Sequence, residues 1–177
     1  LLPHRRPFLM VDTIVGYDRG DEPTLRACRH ISINEPVFDG HFPGLPLWPG
    51  VYTIEGLGQS CNLLALLDFI ERGLDQTGLD RSALLDGLEN LHRRTRLHPG
   101  HRPSADAELD RLLESALPTP WSAMGLSARV DVKLTAPVFV GQRLDFRVRR
   151  THGVDKLLRF DVHAEESGRC VAKGVMV

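Results

Sequence analysis

The stretch Pro49-Gly50-Val51-Tyr52-Thr53-Ile54-Glu55-Gly56-Leu57-Gly58-Gln59-Ser60-Cys61-Asn62-Leu63-Leu64-Ala65-Leu66-Leu67 decides the fold. Val51, Ile54, Leu57, Cys61, Leu64 and Leu67 recur at steps of three and four, which lays one apolar stripe along a helix. Pro49 stands where a first-turn proline is tolerated, and the spacing predicts a helix from about 50 to 70. On either side of it the period changes to that of strands. Upstream, Phe8-Leu9-Met10-Val11 through Ile14-Val15 reads as extended and ends at Gly16, and a second strand is expected near Leu25–Ile31. Downstream, Ala128–Leu134, Leu144–Val148 and Leu158–Val162 alternate, Cys170–Val177 closes the chain, and Gly141 and Gly153 punctuate the turns. An antiparallel sheet needs an apolar partner for its inner face, and this helix is the one candidate long enough. The expected fold is therefore α+β, with a sheet wrapped around one helix.

Between helix and later strands, residues 71–123 are polar and carry two short helical patterns, around 80–90 and 105–116. In the second, Leu109, Leu112, Leu113 and Leu117 share a face, with Asp106 and Glu108 favourably placed in the first turn. We expect one domain over 1–177, its core formed by about 1–70 and 124–177 and the remainder an insertion. A chain of 177 residues can bury roughly 70% of its unfolded surface. Its 42% hydrophobic and 25% charged content excludes wholesale disorder. The 22 basic and 23 acidic residues leave a net charge of −1, which argues against a globally basic nucleic-acid binder. Cys28, Cys61 and Cys170 are widely spaced and form no CxxC pair, so neither a disulfide framework nor a zinc ribbon is expected. That pattern suits a reducing cytoplasm. The opening Leu1-Leu2-Pro3-His4-Arg5-Arg6 lacks the features of a signal peptide, and no apolar run is long enough to span a membrane.

The loop before the helix is dense in backbone constraints, with Pro36, Pro43, Pro46 and Pro49 interleaved with Gly40, Gly44 and Gly50. Such a segment holds one unusual path rigidly, and it carries His41. From Phe42 to Leu67 the one charged residue is Glu55. An isolated carboxylate in apolar surroundings is hydrogen-bonded, or has its pKa pushed up as a general acid requires, or sits at the solvent edge. His41 and Glu55 together would make an acid/base pair, although a lone histidine is often an ordinary satisfied residue. The N–H of Gly50, with the helix dipole behind it, is a natural donor to a carbonyl oxygen gaining negative charge.

Gly40-His41-Phe42-Pro43-Gly44, Pro46, Pro49-Gly50-Val51, Glu55 and Gln59 closely resemble the signature of the FabZ-type (3R)-hydroxyacyl-acyl-carrier-protein dehydratases. The opening Leu2-Pro3-His4-Arg5-Arg6-Pro7-Phe8-Leu9-Met10-Val11-Asp12, the Asn34-Glu35-Pro36 run and Ala136-Pro137-Val138-Phe139-Val140-Gly141-Gln142 resemble it too. The resemblance implies a hot-dog fold, a curved antiparallel sheet around the long helix. It also implies a dimer or a higher oligomer built from dimers, in which His41 of one protomer faces Glu55 of the other. It makes His41 the base that removes the proton α to the thioester carbonyl. Glu55 becomes the acid that protonates the departing β-hydroxyl, Gly50 the carbonyl donor and Gln59 the residue that orients Glu55. Gly40 and Trp48 fall among the substrate-binding positions. No metal or organic cofactor is implied, because the phosphopantetheine arm of an acyl carrier protein delivers the substrate.

The chain departs from that pattern in three places. Gly56 and Gly58 stand in the helix, where each glycine costs about 1 kcal/mol relative to alanine, so close packing is expected there. Trp48 fills a position more often aliphatic, which is expected to reshape the acyl tunnel. The insertion carries Arg93, Arg94 and Arg96, candidates for docking an acidic carrier protein, against the alternative of a solvated loop. His92, His98 and His101 lie close by, but the intervening Pro99-Gly100 and the absence of a nearby cysteine argue against a metal site. Insertion and Trp48 together favour a specialised pathway over primary fatty acid synthesis. The competing functions are a hot-dog thioesterase and a non-catalytic carrier-binding partner subunit, with a heteromeric assembly open. A dehydratase that also isomerises ranks lower, since such relatives usually carry Asp where this chain has Glu55.

Overall fold

The computed structural model describes residues 2, 4–78, 82, 86–87, 89–90, 93, 127–154 and 157–177. The chain divides into two compact units, Leu1–Ala65 with Gly125–Val177, and Leu66–Met124. The first unit holds six strands: β1 (Thr13–Asp18), β2 (Thr24–His30), β3 (Val130–Leu134), β4 (Arg143–Val154), β5 (Leu157–Glu166) and β6 (Arg169–Met176). They form one sheet in the order β1-β2-β4-β5-β6-β3, with every neighbouring pair antiparallel. One long helix, α1 (Gly50–Thr77), starts in this unit and continues into the second.

The alternation read from the sequence is what places the sheet against the helix. Leu144, Phe146 and Val148 of β4 and Val162 and Ala164 of β5 are buried, and so are Leu25 and Ala27 of β2. From α1, Leu57, Cys61, Leu63 and Leu64 are buried beside them in the core. The two helix glycines mark the points of closest approach. A Cβ at Gly56 would stand 2.6 Å from Phe146 Cζ, and one at Gly58 would stand 3.3 Å from Met176 Cε. The close packing expected at these glycines is present. A six-stranded antiparallel sheet folded about a central helix is the hot-dog architecture.

The structure corrects several boundaries. β1 begins after Val11 and runs through Gly16, where its register with β2 shifts, so that glycine is a bulge position and not a strand end. Phe8–Val11 is not a strand; its backbone turns to the helix instead. Gly153 lies within β4, whereas the β5–β6 turn uses Ser167 (φ 50°) and Gly168 (φ 80°). Two successive positive φ angles match the right-handed strand twist, a geometry that favours glycine. The loop carries a 3-10 turn, Pro36–Asp39, and α1 extends past 70. Val51, expected on the apolar stripe, is exposed, while polar Thr53, Gln59 and Ser60 are buried. A helix enclosed on more than one side has no fully polar face, so a single stripe underestimates its burial. The helical pattern around 105–116, together with Arg94, Arg96, His92, His98 and His101, lies outside the described residues.

Candidate active site

His41 follows the 3-10 turn and is fixed by backbone bonds on both sides. Its N–H donates to Val37 O (2.9 Å), while Phe42 and Leu45 exchange backbone hydrogen bonds of 3.0 and 2.8 Å. The tight turn they close brings Leu47 back beneath the imidazole, where His41 Nδ1 stands 2.9 Å from Leu47 O. A carbonyl oxygen accepts and never donates, so in the neutral ring Nδ1 carries the proton and Nε2 keeps its lone pair. Leu47 is itself held, because it bridges Phe139 and the next residue, Trp48, donates its N–H to Val138 O at 2.8 Å. The His41 ring stacks on Phe42 with centroids 4.2 Å apart.

Glu55 sits one and a half turns into α1 with its side chain 30% exposed. It is hydrogen-bonded, the first of the states expected for an isolated carboxylate: Gln59 Nε2 donates to Glu55 Oε1 at 2.8 Å. Gln59 is only 1% exposed, and its amide is fully used. Nε2 also donates to Phe8 O at 2.8 Å, and Oε1 accepts from Met10 N–H at 2.8 Å. The amide's orientation is therefore dictated by two acceptors on one side and a donor on the other, and the carboxylate inherits that orientation.

Around this pair runs a line of rings. Phe8 meets Tyr52 edge-on at 6.3 Å, Tyr52 meets Trp48 at 5.3 Å, and Trp48 lies 6.1 Å from Phe38. Trp48 is 3% exposed, and the Arg29 guanidinium stands 5.9 Å from its ring centroid. Arg29 in turn pairs with Asp12 at 2.6 Å and with Glu35, cross-linking three segments that lead to the site. Glu35 belongs to the Asn34-Glu35-Pro36 run, and this ion pair is the job it does here.

Gly50 is the first residue of α1, where backbone N–H groups have no intrahelical partner. Gly40 is exposed and a Cβ on it would meet nothing, so no crowding within the protomer demands a glycine there. His41 and Glu55 do not pair within one protomer: the imidazole engages Leu47 and the carboxylate engages Gln59 and His4. Arg93 is bonded to Asn90 at 2.7 Å. Among the described residues, no group of three or more His, Cys, Asp or Glu side chains is arranged to hold a metal.

Sequence reasoning missed His4, whose Nε2 lies 3.5 Å from Glu55 Oε1. It was visible only as part of the opening motif, since nothing in a separation of some fifty residues announces contact.

A family model for the FabA-like domain matches residues 2–115. The 3-hydroxyacyl-(acyl-carrier-protein) dehydratase FabZ of Nitratidesulfovibrio vulgaris is 38% identical over 136 residues, covering 77% of this chain and 80% of that one. The enzyme of the same description from Paracidovorax citrulli is 38% identical over 112 residues, covering 63% and 73% respectively. Among solved structures, the dehydratase heterocomplex ApeI:P from Xenorhabdus doucetiae superposes with a TM-score of 0.57 at 16% identity, covering 99% of this chain and 84% of that one. That likeness establishes a shared fold. With the sequence similarity beside it, the chain belongs to the FabA-like family of FabZ-type dehydratases.

Proposed function

We propose that the protein dehydrates (3R)-3-hydroxyacyl thioesters on an acyl carrier protein to trans-2-enoyl thioesters. The observation that carries the reading is the Leu47 carbonyl on His41 Nδ1, which in the neutral ring keeps the lone pair on Nε2. In the proposed reaction Nε2 takes the proton from C2 of the acyl chain. Negative charge builds on the thioester oxygen, which the Gly50 N–H at the helix N-terminus receives. Glu55, as the carboxylic acid, gives its proton to the C3 hydroxyl, the C3–O bond breaks, and water leaves. Gln59 holds the acid in one orientation throughout. Gly40 and Trp48 bound the substrate path in this reading, with the buried Trp48 narrowing the space open to the acyl chain. No metal or organic cofactor takes part; the substrate arrives on the carrier's phosphopantetheine arm.

Because His41 and Glu55 are apart in one protomer, we read the site as completed across a dimer. Support comes from the edge of β3, which among the described strands pairs with β6 alone, and from apolar side chains left exposed. Val51 is 66% exposed, Leu45 51%, Phe42 50% and Leu134 46%. Residues 1–177 are read as one hot-dog domain with an insertion at about 71–123, in which Arg93, Arg94 and Arg96 would meet an acidic carrier. A cytoplasmic setting accords with three cysteines that are all free. No helix among the described residues is long and apolar enough to cross a membrane.

The test is turnover of a panel of 3-hydroxyacyl-carrier thioesters followed by intact mass. Loss of water supports the reading, whereas free acid and thiol would mark a thioesterase and no turnover a partner subunit. His41→Ala and Glu55→Gln should each lower the rate by roughly 10²–10⁴-fold, the contribution typical of a general acid or base. Wild-type rates in both would end the assignment.

A further inference from the structure

We propose that His4 is a positioning residue for Glu55, fixing which carboxyl oxygen carries the proton; this rests on the reading of Glu55 as the acid. Two nitrogens address the same atom, Glu55 Oε1: Gln59 Nε2 at 2.8 Å and His4 Nε2 at 3.5 Å. The imidazole is largely enclosed, its side chain 21% exposed. Its other nitrogen, Nδ1, is buried and has no hydrogen-bond partner. A proton on Nδ1 would therefore be a buried donor without an acceptor, while a proton on Nε2 has a carboxyl oxygen 3.5 Å away. The ring takes the Nε2–H tautomer for that reason.

The segment that carries His4 is held by the acid's own partner. Arg5 O accepts from Phe8 N–H at 2.8 Å, closing a turn, and the guanidinium of Arg5 returns to His4 O at 2.9 Å. Phe8 stands against the His4 ring at 6.2 Å, and its carbonyl is bonded to Gln59 Nε2. One buried amide thus places the N-terminal turn and orients the carboxylate together. With the Gln59 amide donating to Oε1 and the His4 ring nitrogen 3.5 Å from the same atom, that oxygen is the acceptor of the carboxyl group and the acidic hydrogen is placed on Oε2. A general acid works only if its proton faces the leaving hydroxyl, so this choice of oxygen bears on the chemical step and not on binding. The 3.5 Å contact is long for a hydrogen bond, and catalytic bonds of this kind commonly tighten when substrate is present.

Four variants and one double variant test the proposal, using kcat and KM on a 3-hydroxyacyl-carrier thioester with a thermal melt for each. His4→Ala and His4→Leu should lower kcat about tenfold with KM nearly unchanged. His4→Gln, whose amide N–H can still donate to Oε1, should recover most of the rate. His4→Ala in a Glu55→Gln background should be no slower than Glu55→Gln alone, because His4 acts only through that carboxylate. Wild-type kcat in His4→Ala or His4→Leu overturns the proposal, as does His4→Gln behaving like His4→Leu, or an effect confined to KM. If His4→Ala does not fold, the comparison of His4→Leu with His4→Gln decides. Glu55→Gln alone separates the two levels: wild-type turnover in it defeats the reading of the acid, while its loss beside an unaffected His4→Leu defeats the role of His4 alone.

Discussion

Gln59 ties Glu55 to the N-terminal segment. Its amide makes three bonds of 2.8 Å, to Met10, Phe8 and Glu55, from a position 1% exposed to solvent. Gln59→Leu keeps the volume but strands the Met10 N–H, and leaving a buried donor unsatisfied costs about 1–3 kcal/mol. A melt should show a fall of roughly 2–12 °C for a chain of this size. Turnover should fall as well, since Glu55 loses the partner that orients it. Titration offers a second handle. Burial pushes the Cys61 thiol far above its ordinary range. The thiol form is thus favoured by folding: its contribution is complete below the unfolded thiol's pKa of about 8.5 and is lost as pH climbs above it. Urea midpoints should accordingly drop between pH 8 and pH 10, and Cys61→Ala should flatten that drop. Equal slopes in the two proteins would show that the alkaline loss arises elsewhere.

Helix and sheet meet through an absence of side chain. Gly56 lets Phe146 of β4 approach the helix backbone so closely that an alanine methyl there would stand 2.6 Å from the ring. Alanine raises helix propensity by about 1 kcal/mol, yet overpacking a filled core typically costs about 1–3 kcal/mol, so Gly56→Ala should be destabilising on balance. The sign should reverse in a Phe146→Leu background, where the ring edge is gone; thermal melts of the four proteins form the cycle. This helix was legible in the sequence because its period is local, and so was the wish for close packing at Gly56 and Gly58. The alternating strands were legible for the same reason. Gln59's bond to Glu55, four residues away, was among the expectations, but its two other partners were not, because they lie 49 and 51 residues away along the chain and both are backbone atoms with no residue type to advertise them. The exposed Val51 was misjudged on similar grounds: periodicity reports that a face is apolar and is silent on what covers it.

At the scale of the molecule, the proposed reading completes the site across two chains. Co-expression of a His41→Ala chain with a Glu55→Gln chain distinguishes the alternatives. If each site takes its histidine from one protomer and its glutamate from the partner, random pairing restores about a quarter of wild-type activity, through the one intact site of each mixed dimer. If both groups serve from the same chain, every site stays broken and the mixture remains inactive. A charge on the open strand, as in Leu134→Lys, should shift the protein toward monomer in size-exclusion chromatography, with activity falling in step. The hot-dog expectation and its family were readable from the loop and helix motifs, and the resemblance already implied that His41 and Glu55 act from different chains, but spacing along the sequence could not have shown it and their different partners appear only in three dimensions.

The bond from the Met10 amide to Gln59 also turns a catalytic question into an exchange-rate question. That N–H can trade its hydrogen with solvent only when its bond to the glutamine opens, and the same glutamine holds Glu55, the proposed acid. Deuterium uptake at Met10, followed by NMR, therefore reports how often this bond to the glutamine opens, whether the N-terminal segment or the amide moves. A variant that slows turnover by loosening the acid will speed uptake at this one distant amide, and one that slows it by removing a reacting group will leave the amide quiet.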